Sequence, residues 1–147
     1  MSSIKKYKIL RIIKKIKRSR SVIKVLKDVN GDTYYSKSLK HFNFLNIFKQ
    51  KKGKDRQKAL LLNDFASIQF MSQFPELSEL VPRFHSGKKE IPSFIMSDIG
   101  PGQQLSTILL GNDYALAEEG LISLMKTLAT IHKETIGKEA QFLTIRK

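Results

Sequence analysis

The residues that could do chemistry are few, and they lie mostly in the first two thirds of the chain. Lys37 stands in VNGDTYYSKSL, Val29 to Leu39, behind a turn signal and two residues after Tyr35. Side chains alternate along a strand, so Tyr35 and Lys37 share a face if this stretch is extended. A lysine on a strand offers three donors and a point charge, which suits an anion. It also suits ordinary solvent, because Lys37 is one of 27 Lys and Arg residues. The chain has no cysteine, which excludes disulfides, thiolate metal sites and cysteine nucleophiles. His41, His85 and His132 are scattered and form no ligand spacing. His132 follows Leu128 by four residues, so it reads as a buried, hydrogen-bonded structural histidine.

The charge is uneven. Residues 1–58 hold 19 Lys and Arg against 3 Asp and Glu, whereas residues 59–147 hold 8 against 10. All the excess of the +14 net charge therefore sits in the first two fifths. Such asymmetry suits an anionic partner such as nucleic acid, anionic lipid or a polyphosphate. A lysine-rich background without a partner would look the same. No recognisable nucleic-acid-binding motif is present. For lipid, Ile4 to Arg20 would have to form a basic amphipathic helix on the membrane surface. The 147 residues and 41% hydrophobic content allow one ordinary domain with a buried core. No apolar run is long enough to cross a bilayer, and lysines interrupt the N-terminus too often for a signal peptide. The expectation is a soluble, cytoplasmic protein.

Several elements must position these residues. Ile9 to Lys17 is ambiguous between helix and strand. Val22 to Val29 is rich in β-branched residues, and Asn30-Gly31 signals a two-residue type I′ hairpin. Asp32 to Leu39 is then the return strand of a three-stranded meander. His41 to Lys58 reads as a charged connection. The helical spacing of Leu60, Asp64, Ile68 and Met71 predicts a helix from Ala59 to Phe74, stopped by Pro75. Val81–Gly87 and Pro92–Gly100 read as two more strands. Gln104 to Leu110 suits a short helix. Gly111-Asn112-Asp113 opens a long one striped by Ala117, Leu121, Leu124, Leu128 and Ile131, with Gly137 as its stop.

This order, together with NDFASIQFMSQFPEL, VPRFHSG, SFIMSDIGPGQQL and LMKTLATIHKE, resembles the aminoglycoside phosphotransferase and choline kinase branch of the protein-kinase-like fold. The resemblance runs from about Val22 to Phe142. It implies an α+β fold: a nucleotide-binding lobe over residues 1–99, with a five-stranded antiparallel sheet and one helix, then the first helices of a second lobe over 100–147. It further implies that Lys37 reaches the α- and β-phosphates of ATP and pairs with Asp64, where the family usually carries Glu. The place of Asp64 beside the Leu60–Ile68–Met71 stripe points it partly inward. Tyr35 would stack on adenine. Ser19 and Ser21 fall where the phosphate-covering loop belongs, and the backbone of Ser97, Asp98 and Ile99 would form the adenine-binding hinge.

The same resemblance marks what is lacking. Phosphoryl transfer of this kind uses an Asp to orient the acceptor hydroxyl, and an Asn and a second Asp to hold Mg²⁺. The sequence has no His-x-Asp-x₄-Asn and no Asp-Phe-Gly, and the acids after Asp113 are Glu118, Glu119, Glu134 and Glu139. The expectation is a nucleotide-binding portion, as a truncated product, a pseudokinase or half of a split enzyme. Mg²⁺ would enter only with the missing part. The stripe from Ala117 to Ile131 is then expected to leave an exposed apolar patch, open to self-association or to a separately encoded second lobe.

Overall fold

A computed structural model describes residues 11–18, 21–39, 51–90 and 93–147, with residues 51–54 known by their backbone alone. The fold is α+β. Five strands, β1 (Arg11–Lys17), β2 (Ser21–Lys27), β3 (Thr33–Leu39), β4 (Phe84–Lys88) and β5 (Ser93–Ser97), form an open antiparallel sheet in the order β1-β2-β3-β5-β4. Helix α1 (Lys51–Met71) lies between β3 and β4 in the chain and packs on one face of the sheet. A short 3-10 turn, Pro75–Leu77, precedes β4, and helices α2 (Leu105–Leu109), α3 (Tyr114–Thr135) and α4 (Glu139–Arg146) follow β5.

The ambiguous segment is a strand over Arg11–Lys17, so an amphipathic helix does not run through those residues. β1 is an edge strand, with Lys14, Lys15 and Lys17 exposed and an irregularity in register between Ile12 and Lys14. Edge lysines and bulges discourage pairing with other chains. Part of the basic charge therefore has a structural use.

The first hairpin differs from the two-residue turn that Asn30-Gly31 predicts. Gly31 N–H donates to Asp28 C=O at 3.3 Å and Asp28 N–H to Asp32 C=O at 3.1 Å, which makes Val29 and Asn30 the central residues of the turn. Gly31 follows with φ of +88°, a conformation glycine adopts without steric cost. The Asp28 carboxylate selects this longer loop, because Oδ1 accepts from the N–H of Asn30 at 2.9 Å and of Asp32 at 3.0 Å. The resulting register pairs Val25 with Tyr35 and Ile23 with Lys37.

α1 begins at Lys51, eight residues before the apolar stripe that predicts it from Ala59. Residues Asp55 and Arg56 face solvent, so this part of the helix carries no hydrophobic period to read. The other end of α1 is tied to the sheet by Ser72. Its hydroxyl donates to Ile68 C=O at 2.7 Å and accepts from Phe84 N–H at 2.7 Å.

Two apolar clusters hold the layers together. Leu61 and Phe65 of α1 meet Phe94 of β5, flanked by Leu39, Ile68, Phe84 and Met96. Phe70, Phe74, Leu77 and Val81 form the second, covered by Met71, Ile131, Phe142 and Ile145. Thus α4 returns to α1, with the Phe70 and Phe142 rings 5.5 Å apart. Lys89 Nζ also donates to Ile145 C=O at 2.5 Å.

α3 starts at an Asp113 cap, whose Oδ1 accepts from Leu116 N–H at 3.0 Å. Most of its length is uncovered. Leu121, Leu124, Met125 and Leu128 are all between 38% and 63% exposed, so the apolar stripe largely faces outward. His132 is exposed as well, which corrects its reading as a buried structural residue. The helix packs against α2 around Gly120 and joins the buried core at Ile131, one position before His132. No helix among the described residues is long and apolar enough to cross a membrane.

Candidate functional site

Lys37 lies in the middle of the sheet. Its strand is flanked on both sides, by Ile23 of β2 and Phe94 of β5, so its backbone is fixed by two ladders. Opposed residues in antiparallel strands share a face, and this face carries the Leu61–Phe65–Phe94 cluster against α1. The ammonium cannot follow Phe94 into that cluster without losing its solvation. It reaches along the helix instead, and Nζ lies 2.6 Å from Asp64 Oδ2. Asp64 precedes Phe65 in the sequence. The residue that anchors α1 on the sheet therefore also places the carboxylate at the edge of the contact.

The pair is half-open. The side chains of Lys37 and Asp64 are 26% and 48% exposed, which places them at the wall of a cleft and not inside the core. The cleft has a volume of about 350 Å³ and is bounded by Arg18, Ser21, Lys37, Gln57 and Asp64, with Leu39, Leu60 and Leu61 as its apolar part. Among the described lining residues, two cations and one carboxylate leave a net positive charge. A hydroxyl and an amide supply neutral donors. Such a set can hold an anionic group that accepts several hydrogen bonds.

The sequence-predicted residues are divided among three places. Lys37, Asp64 and Ser21 meet at this cleft. Tyr35 shares the Lys37 face one step nearer the start of β3, opposite Met96, but does not line the cleft. Ser97, Asp98 and Ile99 lie at the end of β5, beside the start of β3. There Ser97 N–H donates to Arg83 C=O at 2.9 Å, Ser97 Oγ accepts from Arg83 N–H at 2.8 Å, and Asp98 N–H donates to Thr33 C=O at 3.3 Å. Asp98 Oδ1 accepts from Gly100 N–H at 3.1 Å, and Ile99 is 62% exposed. Ser19 lies outside the described residues. Arg18 and Gln57 escaped the sequence reading. Their only signal is proximity to Lys37, which connects residues 18, 37 and 57 across three elements.

No protein-family model matches the chain, and no curated protein matches it.

A larger groove, about 550 Å³, lies at the other end of the molecule among Phe70, His132, Thr135, Ile136, Phe142 and Leu143. Lys138 on its border is already placed over the Phe74 ring, 4.2 Å from the centroid. The groove is mostly apolar, and Lys138 and Glu139 both border it without forming an ion pair. The smaller cleft is the candidate site because the ion pair stands in its wall. No group of three or more His, Asp or Glu side chains suited to a metal occurs among the described residues.

Proposed function

We propose that the chain is the nucleotide-binding portion of a kinase-like small-molecule phosphotransferase, with ATP as its ligand. One observation carries this reading above the rest: the strand lysine and the helix acid, 27 positions apart in sequence, meet at 2.6 Å in the wall of a positively lined cleft. In kinase-like enzymes a lysine on the third strand plays this part toward the nucleotide phosphates and is oriented by an acid on the following helix. The placement of the remaining residues supports it. Lys37 stands four residues along β3 from Thr33, beside which the Ser97–Ile99 segment leaves the sheet, an interval of roughly 13 Å at strand rise. An extended nucleotide could span it, with its base at the segment, its sugar near Tyr35 and its phosphates at Lys37.

The donor set suits phosphate. Lys37 and Arg18 supply charge, and Ser21 and Gln57 supply further hydrogen bonds. It suits Mg²⁺ poorly, because Asp64 is the single carboxylate among the described residues that line the cleft and is engaged by Lys37. Nor does the sequence carry the Asp and Asn motifs that orient an acceptor hydroxyl and hold the metal. The reading is accordingly one of binding: the chain's own residues would hold and orient the phosphates, and the bound nucleotide would supply the transferable phosphoryl group. Phosphoryl transfer to a substrate hydroxyl would need groups from elsewhere.

Thermal unfolding with and without millimolar ATP tests the proposal. ATP is expected to raise the melting temperature of the wild type, and Lys37→Ala to remove the rise while leaving the nucleotide-free melting point nearly unchanged. An equal rise in both proteins would place the nucleotide elsewhere.

A further inference from the structure

The stretch that leads from β1 into β2 is RSRS, Arg18 to Ser21, whose last residue opens β2, and it contains no glycine. A glycine-rich loop can cover phosphates with bare backbone amides, and this loop has other means. Arg18 and Ser21 both line the cleft. Arg18 N–H donates to Ser21 C=O at 2.8 Å, which closes the connection and holds the two residues on the same side of the site. Ser21 in turn is paired with Leu39 of β3, so the loop's base is anchored to the strand that carries Lys37.

The charges of the cleft are not equivalent. Lys37 is matched by Asp64 at 2.6 Å, so much of its field is already answered. No carboxylate pairs with Arg18 among the described residues. Its guanidinium is therefore the uncompensated cation among the described residues of the cleft. A guanidinium presents a planar fork of donors that matches two oxygens of one phosphate, which an ammonium cannot do.

Resting on the nucleotide reading above, we propose that Arg18 is a specificity residue that grips the phosphates beyond the one held by Lys37, so that the cleft selects nucleoside di- and triphosphates over monophosphates. Lys37 and Asp64 then set the position of the phosphate nearest the sugar, and Arg18 reads the length of the chain. The side chain replaces the backbone amides of a glycine-rich loop as the phosphate donor.

Calorimetric titration of the full chain with AMP, ADP and ATP tests this, using wild type, Arg18→Ala, Arg18→Lys and Lys37→Ala, each first shown by circular dichroism to be folded. Losing a charge-assisted, two-pronged contact should weaken ATP and ADP binding about tenfold or more in Arg18→Ala and leave AMP unchanged. Arg18→Lys, which keeps the charge without the fork, should recover only part of the loss. Arg18→Ala binding ATP like the wild type while Lys37→Ala does not would overturn the role of Arg18 and leave the nucleotide site standing. An equal loss for all three nucleotides would also overturn it, because the residue would then not read phosphate number. A wild type that binds none of the three would remove both proposals together.

Discussion

Gly87 offers a sharp test of how the site is held. It pairs with Phe94 across β4 and β5, and both residues abut Phe65 of α1, whose ring meets that of Phe94 edge to face at 6.0 Å. A methyl group at position 87 would run into the Phe65 ring and would lie 2.8 Å from the Ser93 carbonyl oxygen. The ring belongs to the buried cluster and the carbonyl belongs to a sheet ladder, so neither can step aside freely. Gly87→Ala should therefore behave as an overpacked core and cost about 1–3 kcal/mol. At this chain length each kcal/mol lowers the melting point by roughly 2–4 °C. Urea unfolding measures the cost directly. Pairing the change with Phe65→Leu shortens the offending side chain, so the double variant should lose at least about 0.5 kcal/mol less than the two single losses combined. Phe65 follows Asp64, so pushing its ring away should also disturb the Lys37–Asp64 contact and weaken nucleotide binding. A Gly87→Ala protein within about 0.5 kcal/mol of the wild type would refute this packing account, as would simple additivity with Phe65→Leu.

Three further outcomes are expected. Asp28→Ala should destabilise the first hairpin by about 1 kcal/mol, since two backbone donors lose their acceptor, and hydrogen exchange at Asn30 and Asp32 should accelerate. An unchanged exchange rate would argue against the carboxylate as organiser of the loop. The pKa of His85 is lowered from its ordinary 6.5, first by burial and then by the charge of Arg83. The unfolded chain thus binds this proton more readily, so the contribution of His85 is complete above pH 6.5 and is lost as the pH falls through the folded pKa. The urea midpoint should drop between pH 7.5 and 5.5, and His85→Gln should flatten the drop; an identical slope in both proteins would contradict this. On α3, the outward stripe of Leu121, Leu124 and Leu128 should bind an apolar dye such as ANS in the folded protein. Leu121→Lys with Leu128→Lys should abolish most of the fluorescence at little cost in stability, and undiminished fluorescence would place the dye elsewhere.

Local patterns made much of the fold legible. The β-branched run from Val22 to Val25 gave β2, the spacing of Leu60, Asp64, Ile68 and Met71 gave the packed part of α1, and Gly111-Asn112-Asp113 marked the start of α3. What stayed hidden depends on tertiary contact or on side-chain chemistry that competes with a stronger local signal. Asn30-Gly31 argued for one turn, and the Asp28 carboxylate secured another. The first turns of α1 carry no apolar stripe. The eight residues of α4 have no side-chain cap and take their anchorage from Phe142 against Phe70, a contact 72 positions apart in sequence. At the site, alternation on β3 put Tyr35 and Lys37 on one face. The pairing with Asp64 came from a resemblance, and the chain then showed the two side chains in contact. Arg18 and Gln57 could not be picked out among so many polar residues, because nothing local distinguishes a lysine or arginine in solvent from one that borders a cleft.

The central claim is that the Lys37–Asp64 cleft holds nucleotide phosphate. Its most direct test is a titration of the isotope-labelled chain with ATP, followed residue by residue through amide and side-chain NMR signals. The account predicts saturable shifts centred on Arg18, Ser21, Lys37, Gln57 and Asp64, extending to Tyr35 and the Ser97–Ile99 backbone, and their loss in Lys37→Ala. Absence of shifts at these residues, or shifts gathered instead in the groove around Phe70 and Phe142, would contradict it.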